Sequence, residues 1–172
     1  RKYRWIMLLG SSPSKEGIYD RTYYNTGKKS LGYFFYVDAA NLPGRLVKME
    51  LDGTICQHTG ILVNFWVNDM TLSSARSTLP PNINMNFIGV KKGEDGKEVE
   101  VILHRFSSGN ALQDSIVNGG SWTNRNIGKW QQLMYTFSVP ESLVGYDKYY
   151  LEVQNNTLHS NGADYAIDGL RI

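Results

Sequence analysis

Ile83-Asn84-Met85-Asn86-Phe87 alternates apolar and polar side chains at every step. A repeat of two residues belongs to a β-strand, whose successive side chains point to opposite faces. One face of this stretch goes to a core and the other toward water, with Asn84 and Asn86 sharing the polar side. The same reading recurs along the chain. Val47, Met49 and Leu51 alternate with Lys48, Glu50 and Asp52; Leu133, Tyr135 and Phe137 with Gln132, Met134 and Thr136; Tyr149, Leu151 and Val153 with Tyr150, Glu152 and Gln154. Five more candidates cover 3–9, 32–38, 61–68, 99–106 and 164–172, so nine strands are predicted.

Turn chemistry separates these strands. Asn41-Leu42-Pro43-Gly44, Asp52-Gly53, Pro80-Pro81-Asn82, Gly93-Glu94-Asp95-Gly96, Gly119-Gly120 and Asn161-Gly162 supply residues that favour chain reversal. Helical periodicity is weak everywhere; 73–79 and 111–117 hold a helical turn at most. Many half-buried strands without helices predict two packed antiparallel sheets, an all-β sandwich. A jelly roll fits better than an immunoglobulin-type sandwich, because the strands are numerous and the chain is long for the latter. No linker or internal repeat divides the chain, so 1–172 reads as one β-sandwich domain.

Composition excludes several classes. The 172 residues carry 18 Lys and Arg against 16 Asp and Glu, a net charge of +2, without the concentrated basic patch of a nucleic-acid binder. A single cysteine, Cys56, excludes an intrachain disulfide and a cysteine-rich zinc site, and is expected to be a small buried apolar group. The longest early apolar run, 5–9, is too short for a signal-peptide core or a membrane span. The chain opens on Arg1 rather than Met, which reads as a fragment of a larger protein. Aromatic residues make up 12%. Most fall at inward strand positions, among them Phe87, Trp130, Tyr135, Phe137 and Tyr149, and Trp66 is expected in the core as well.

Tyr19-Asp20-Arg21-Thr22 followed by Gly32-Tyr33-Phe34-Phe35-Tyr36-Val37-Asp38, and the ending Asn161-Gly162-Ala163-Asp164-Tyr165-Ala166-Ile167-Asp168-Gly169-Leu170, stand in a suggestive order. With Gly128-Lys129-Trp130 between them, they resemble the opening and closing strands of MAM-like and galactose-binding-like jelly-roll modules. Pro81-Asn82-Ile83-Asn84-Met85 is similar to the strand opening in bacterial cell-surface copies of that fold. The resemblance implies a non-catalytic, carbohydrate-binding-module-like part of a larger extracellular or bacterial cell-surface protein, with neighbouring domains. It also implies a structural calcium between the first segment and the last strand, with Asp168 and Asp20 as carboxylate ligands. Two departures stand against the pattern: Arg21 replaces a histidine, and Gly169 replaces a second aspartate and so removes one possible ligand. Asp168 could equally cap a turn or pair with Arg171 or Lys148.

Sugar sites join an aromatic platform to planar polar groups, since a sugar has an apolar ring face and many hydroxyls. Trp122, in the loop Gly119-Gly120-Ser121-Trp122-Thr123-Asn124-Arg125, is the candidate platform, or else a loop anchor. Asn84 and Asn86 on one polar strand face, and Arg105 closing another, complete the candidate ligand-binding set. Tyr150 remains as an outward strand tyrosine. His58, His104 and His159 are far apart and read as structural or surface residues. No nucleophile elbow, phosphate loop or dinucleotide fingerprint is present. Asn155-Asn156-Thr157 fits an N-glycosylation acceptor pattern. The expected function is binding of a glycan or a surface protein in adhesion or nutrient capture. The alternatives are a spacer domain without its own ligand, and a glycoside hydrolase or lyase with two facing carboxylates.

Overall fold

Alternation becomes nine strands among the residues that the computed structural model describes: 4–9, 33–38, 43–70, 81–108, 128–157 and 164–172. The strands are β1 (Arg4–Leu9), β2 (Tyr33–Asp38), β3 (Gly44–Glu50), β4 (Gly60–Asp69), β5 (Ile83–Lys92), β6 (Glu98–Ser107), β7 (Trp130–Ser138), β8 (Lys148–Asn155) and β9 (Tyr165–Arg171). A five-stranded sheet has the order β1-β2-β9-β4-β7, and a four-stranded sheet the order β3-β8-β5-β6. Every pairing is antiparallel. The chain changes sheets at every connection except β1 to β2 and β5 to β6, the interleaving of a jelly-roll sandwich. The segments 73–79 and 111–117 lie outside the described residues, as do Trp122, Asp20 and His159.

The β5–β6 hairpin closes at the turn predicted from Gly93-Glu94-Asp95-Gly96. Gly96 has φ 76°, its N–H donates to the Gly93 carbonyl at 2.9 Å, and Gly93 N–H donates to the Lys97 carbonyl at 2.8 Å. A positive φ there is strained for any residue with a Cβ, which is why the turn carries glycine.

The core lies between the sheets. Val63, Phe65 and Val67 from β4 meet Met85 and Phe87 from β5 and Leu151 and Val153 from β8, all buried. Phe87 is stacked on Tyr149 with ring centroids 5.5 Å apart and meets Phe137 at 5.8 Å. Half-buried His104 lies flat on Phe137 at 4.1 Å, a packing role in keeping with its sequence reading. A second apolar cluster of Phe34, Tyr36, Trp66, Met70, Trp130 and Ala166 forms on the outer face of the five-stranded sheet. Trp130 is buried as expected, but both it and half-buried Trp66 pack there rather than between the sheets. Burying aromatic area on that face is as favourable as burying it inside.

One expectation is overturned. Cys56 is exposed. It opens a tight turn in which Thr59 N–H donates to the Cys56 carbonyl at 3.1 Å and Cys56 N–H donates to Thr59 Oγ1 at 3.0 Å, with His58 left-handed at φ 64°. A turn at the rim of the sandwich leaves its side chains in water whatever their polarity.

Candidate functional site

The outer face of the four-stranded sheet is built from the polar halves of its alternating strands. Pairing registers arrange them in rows across β3, β8, β5 and β6. Lys48, Glu152, Asn86 and Arg105 form one row. Glu50, Tyr150, Ile88 and Ile102 form the next, and Lys148, Val90 and Glu100 the one after. Arg45, Gln154, Asn84 and Ser107 flank the first row on its other side.

Two β-bulges, one on each edge strand, set these rows. In β3 the pairing with β8 skips Leu46 between Arg45 and Val47. In β6 the pairing with β5 skips Leu103, passing from Phe87↔His104 to Ile88↔Ile102. An extra residue re-aims the side chains beyond it. Thus Arg45 and Lys48, three residues apart, share the outer face, and so do Ile102 and Arg105.

A continuous chain of polar contacts crosses the sheet. Arg45 Nε donates to Glu152 Oε2. Asn86 Nδ2 donates to Glu152 Oε1 at 2.8 Å, with Gln154 Oε1 at 3.4 Å, and Arg105 Nε donates to Asn86 Oδ1 at 2.7 Å. Asn86 is 0% exposed and Glu152 5%. Buried polar groups keep their place only when bonded, and here both atoms of the Asn86 amide and both oxygens of Glu152 have partners. Above this layer, Lys48 Nζ donates to Glu100 Oε1 at 2.6 Å and Arg45 Nη2 to Glu100 Oε2 at 2.9 Å. Lys48 Nζ also lies 3.9 Å from the centre of the Tyr150 ring, and Tyr150 Oη donates to Glu50 Oε2 at 3.0 Å.

The electrostatics follow from these partners. The hydrogen bond from Lys48, with the Arg45 charge behind it, holds the Glu100 carboxyl below the usual glutamate range. Glu98 raises the Lys148 ammonium above its ordinary value through a hydrogen bond of 3.3 Å. Desolvation, then the bond to Glu50, pushes the Tyr150 phenol up.

Two of the residues expected to bind ligand therefore meet. Arg105, near the end of β6, shares a face with Asn86 of β5, and the bulge at Leu103 brings Ile102 to that face as well. Asn84, like Asn86, is buried in this layer, so both support the surface rather than form its outermost contacts. Arg45, Lys48, Glu100 and Glu152 were missed by sequence reasoning. The signal available for them was the polar half of each alternating strand, without the register that joins the halves.

Asp168 is half-buried in β9 and lines an apolar cavity of about 280 Å³ at the seam of the sheets, with Phe34, Leu46, Met49, Val153 and Leu170. Among the described residues no group of three His, Cys, Asp or Glu side chains is assembled for a metal. Asn155 of the glycosylation pattern is 0% exposed, its Oδ1 accepting from Tyr165 Oη at 3.1 Å, so it serves the core. No described helix is long and apolar enough to cross a membrane.

No protein-family model matches the chain, and no curated protein matches it. Among solved structures, it is similar to the CBM22-2 xylan-binding domain of Paenibacillus barcinonensis Xyn10C, at 8% identity and a TM-score of 0.49 over 98% of this chain and 85% of that one. It is also similar to a family 16 carbohydrate-binding module, at 12% identity and a TM-score of 0.40 over 85% of this chain and 77% of that one. A third is the sugar-binding C-terminal domain of EclA, at 13% identity and a TM-score of 0.40 over 99% and 78%.

Proposed function

We propose that this domain is a non-catalytic glycan-binding module, and that the sugar lies on the outer face of the four-stranded sheet. The observation that carries the reading is the polar chain Arg45–Glu152–Asn86–Arg105 beside the half-buried Tyr150 ring. Guanidinium, amide and carboxylate groups are planar and match pairs of sugar hydroxyls, while a phenol ring matches the apolar face of a sugar ring. The polar chain is fixed before any ligand arrives, which lowers the entropy lost on binding.

Hydrolysis fits the site poorly. A glycosidase needs one carboxylic acid kept protonated by a raised pKa. Glu100 and Glu152 share the Arg45 guanidinium, and Glu100 is shifted the opposite way by Lys48 and Arg45. An extracellular or bacterial-surface setting goes with the binding reading, as does membership of a larger protein.

Retardation in native gels cast with soluble polysaccharides, xylan among them, tests the reading. At least one polymer is expected to retard the domain. Tyr150→Ala should weaken that retardation about tenfold or more, a loss of about 1.4 kcal/mol. Met134→Ala, on the other sheet, should leave it unchanged. Free migration in every polymer, beside a control module that is retarded, would return the domain to the spacer reading.

A further inference from the structure

We propose that the glycan is an acidic one, whose carboxylate is taken by the guanidinium of Arg105; this rests on the glycan-binding reading above. Four cations stand in the rows of the outer face. Arg45 is paired with Glu152 and Glu100, Lys48 with Glu100, and Lys148 with Glu98. Arg105 has no carboxylate partner among the described residues, and its one hydrogen bond is to Asn86. Lys92, one row further on at the hairpin turn, is exposed, and no contact fixes its ammonium among the described residues.

Arg105 is exposed yet held in place. Its Nε donates at 2.7 Å to the Oδ1 of an asparagine that is itself fully buried. The Asn86 amide cannot turn over, because its Nδ2 is committed to Glu152 Oε1 at 2.8 Å. A flipped amide would set its NH₂ against the Arg105 Nε–H and its oxygen against the Glu152 carboxylate. The guanidinium plane is thus anchored through one of its five N–H donors, and among the described residues the two terminal amino groups have no partner.

Two parallel N–H groups on a planar cation form a fork that matches the two oxygens of a carboxylate. Carboxylates are the partners guanidinium takes elsewhere on this face, where Arg45 reaches Glu152 through Nε and Glu100 through Nη2. Arg105 lies two strands and one row from Tyr150. That is about 12 Å between Cα atoms at a strand spacing of about 4.8 Å and a rise of about 3.4 Å per residue. One oligosaccharide can therefore rest a neutral ring on Tyr150 while a uronic acid residue further along meets Arg105. A sulfated sugar offers similar oxyanion chemistry, but its tetrahedral group matches the planar fork less well.

The experiment is calorimetric titration of the domain with three probes. They are a xylo-oligosaccharide bearing glucuronic acid, the same compound with its carboxyl reduced to the alcohol, and a sulfated counterpart. The uronate is expected to bind about tenfold tighter than the reduced compound. Arg105→Gln should abolish that preference, so that the variant binds the uronate and the reduced compound alike. Arg105→Lys, which keeps the charge and loses the fork, should retain only part of it. Equal affinity of the unsubstituted domain for uronate and reduced compound overturns the inference and leaves glycan binding standing. An equal loss for both compounds in Arg105→Gln, at unchanged melting temperature, also overturns it, by making Arg105 a general contact. Tighter binding of the sulfated compound replaces carboxylate by sulfate as the ligand group. Failure of all three to bind, in a domain that no polysaccharide retards, removes the inference together with the reading beneath it.

Discussion

Lys48 Nζ and Glu100 Oε1 meet at 2.6 Å although their strands are the two edges of one sheet, with β8 and β5 between them. At a strand spacing of about 4.8 Å the edges stand about 14 Å apart, so both side chains lie across the face. With Arg45, they form a latch over the sheet, and the outward-facing Ile88 on β5 is 2% exposed. The latch is nonetheless at the surface. The Arg45 and Glu100 side chains are 52% and 42% exposed, and such pairs contribute little because water and salt screen them.

The latch is expected to be pH-dependent. Glu100 has a lowered carboxyl pKa, so its contribution is present above the ordinary glutamate value and is lost as pH falls through the lower folded value. An NMR titration of the Glu100 carboxyl should show a midpoint below about 4.3 that moves back toward it in Lys48→Met. An ordinary midpoint in the unsubstituted domain would show the pair to be open in solution.

Opening the latch should help a ligand. Lys48 covers the Tyr150 ring, and Glu100 holds Lys48 there. Glu100→Gln weakens that hold, and an exposed pair is worth about 0.2–1 kcal/mol, so affinity for a bound glycan should rise by no more than about fivefold. A fall in affinity would show that Glu100 itself contacts the sugar.

Gly89 should not tolerate a side chain. A Cβ there would sit 2.5 Å from Tyr146 Cδ1 and 2.8 Å from Leu103 Cδ1. Gly89→Ala must displace the Tyr146 ring from its edge contact with Tyr149, at a cost of about 1–3 kcal/mol. Urea unfolding measures this, and an unchanged midpoint would mean that the Tyr146 segment yields freely.

Phe87→Ala should be among the most damaging core changes, at about 3–5 kcal/mol. Phe87 is 0% exposed and packs on both Tyr149 and Phe137, rings from different sheets. A loss below about 1 kcal/mol would place the weight of the core elsewhere.

A calcium shared by Asp168 and the first segment should raise the melting temperature when calcium is added and lower it with chelator. Asp168→Asn should erase the difference. Identical melts under both conditions would remove the site.

Much of the fold could be read from single stretches. Alternation such as Ile83 to Phe87 marks a strand because the pleat has a period of two, and Gly93 to Gly96 marks a turn because positive φ favours glycine. Burial on the inner face followed as well: Met85, Leu151 and Val153 are where their alternation puts them. Alternation does not foresee what bulges control. One extra residue at Leu103 brings Ile102 to the same face as Arg105, and nothing local announces it. Asn86 read as exposed because it is polar, yet partners from β8 and β6 let it be buried without penalty. Trp122, the platform or loop anchor of the sequence reading, lies outside the described residues.

Local pattern thus sufficed for an all-β chain with an aromatic core, since a strand's two faces are written in neighbouring residues. The proposed binding face depends on pairing between strands far apart in the chain. Arg45, Glu152, Asn86 and Arg105 come from four strands spread over more than a hundred residues, and Glu152 and Asn86 alone are 66 apart. Their adjacency depends on sheet order and on two bulges, which are properties of the assembled sheet and of no single segment.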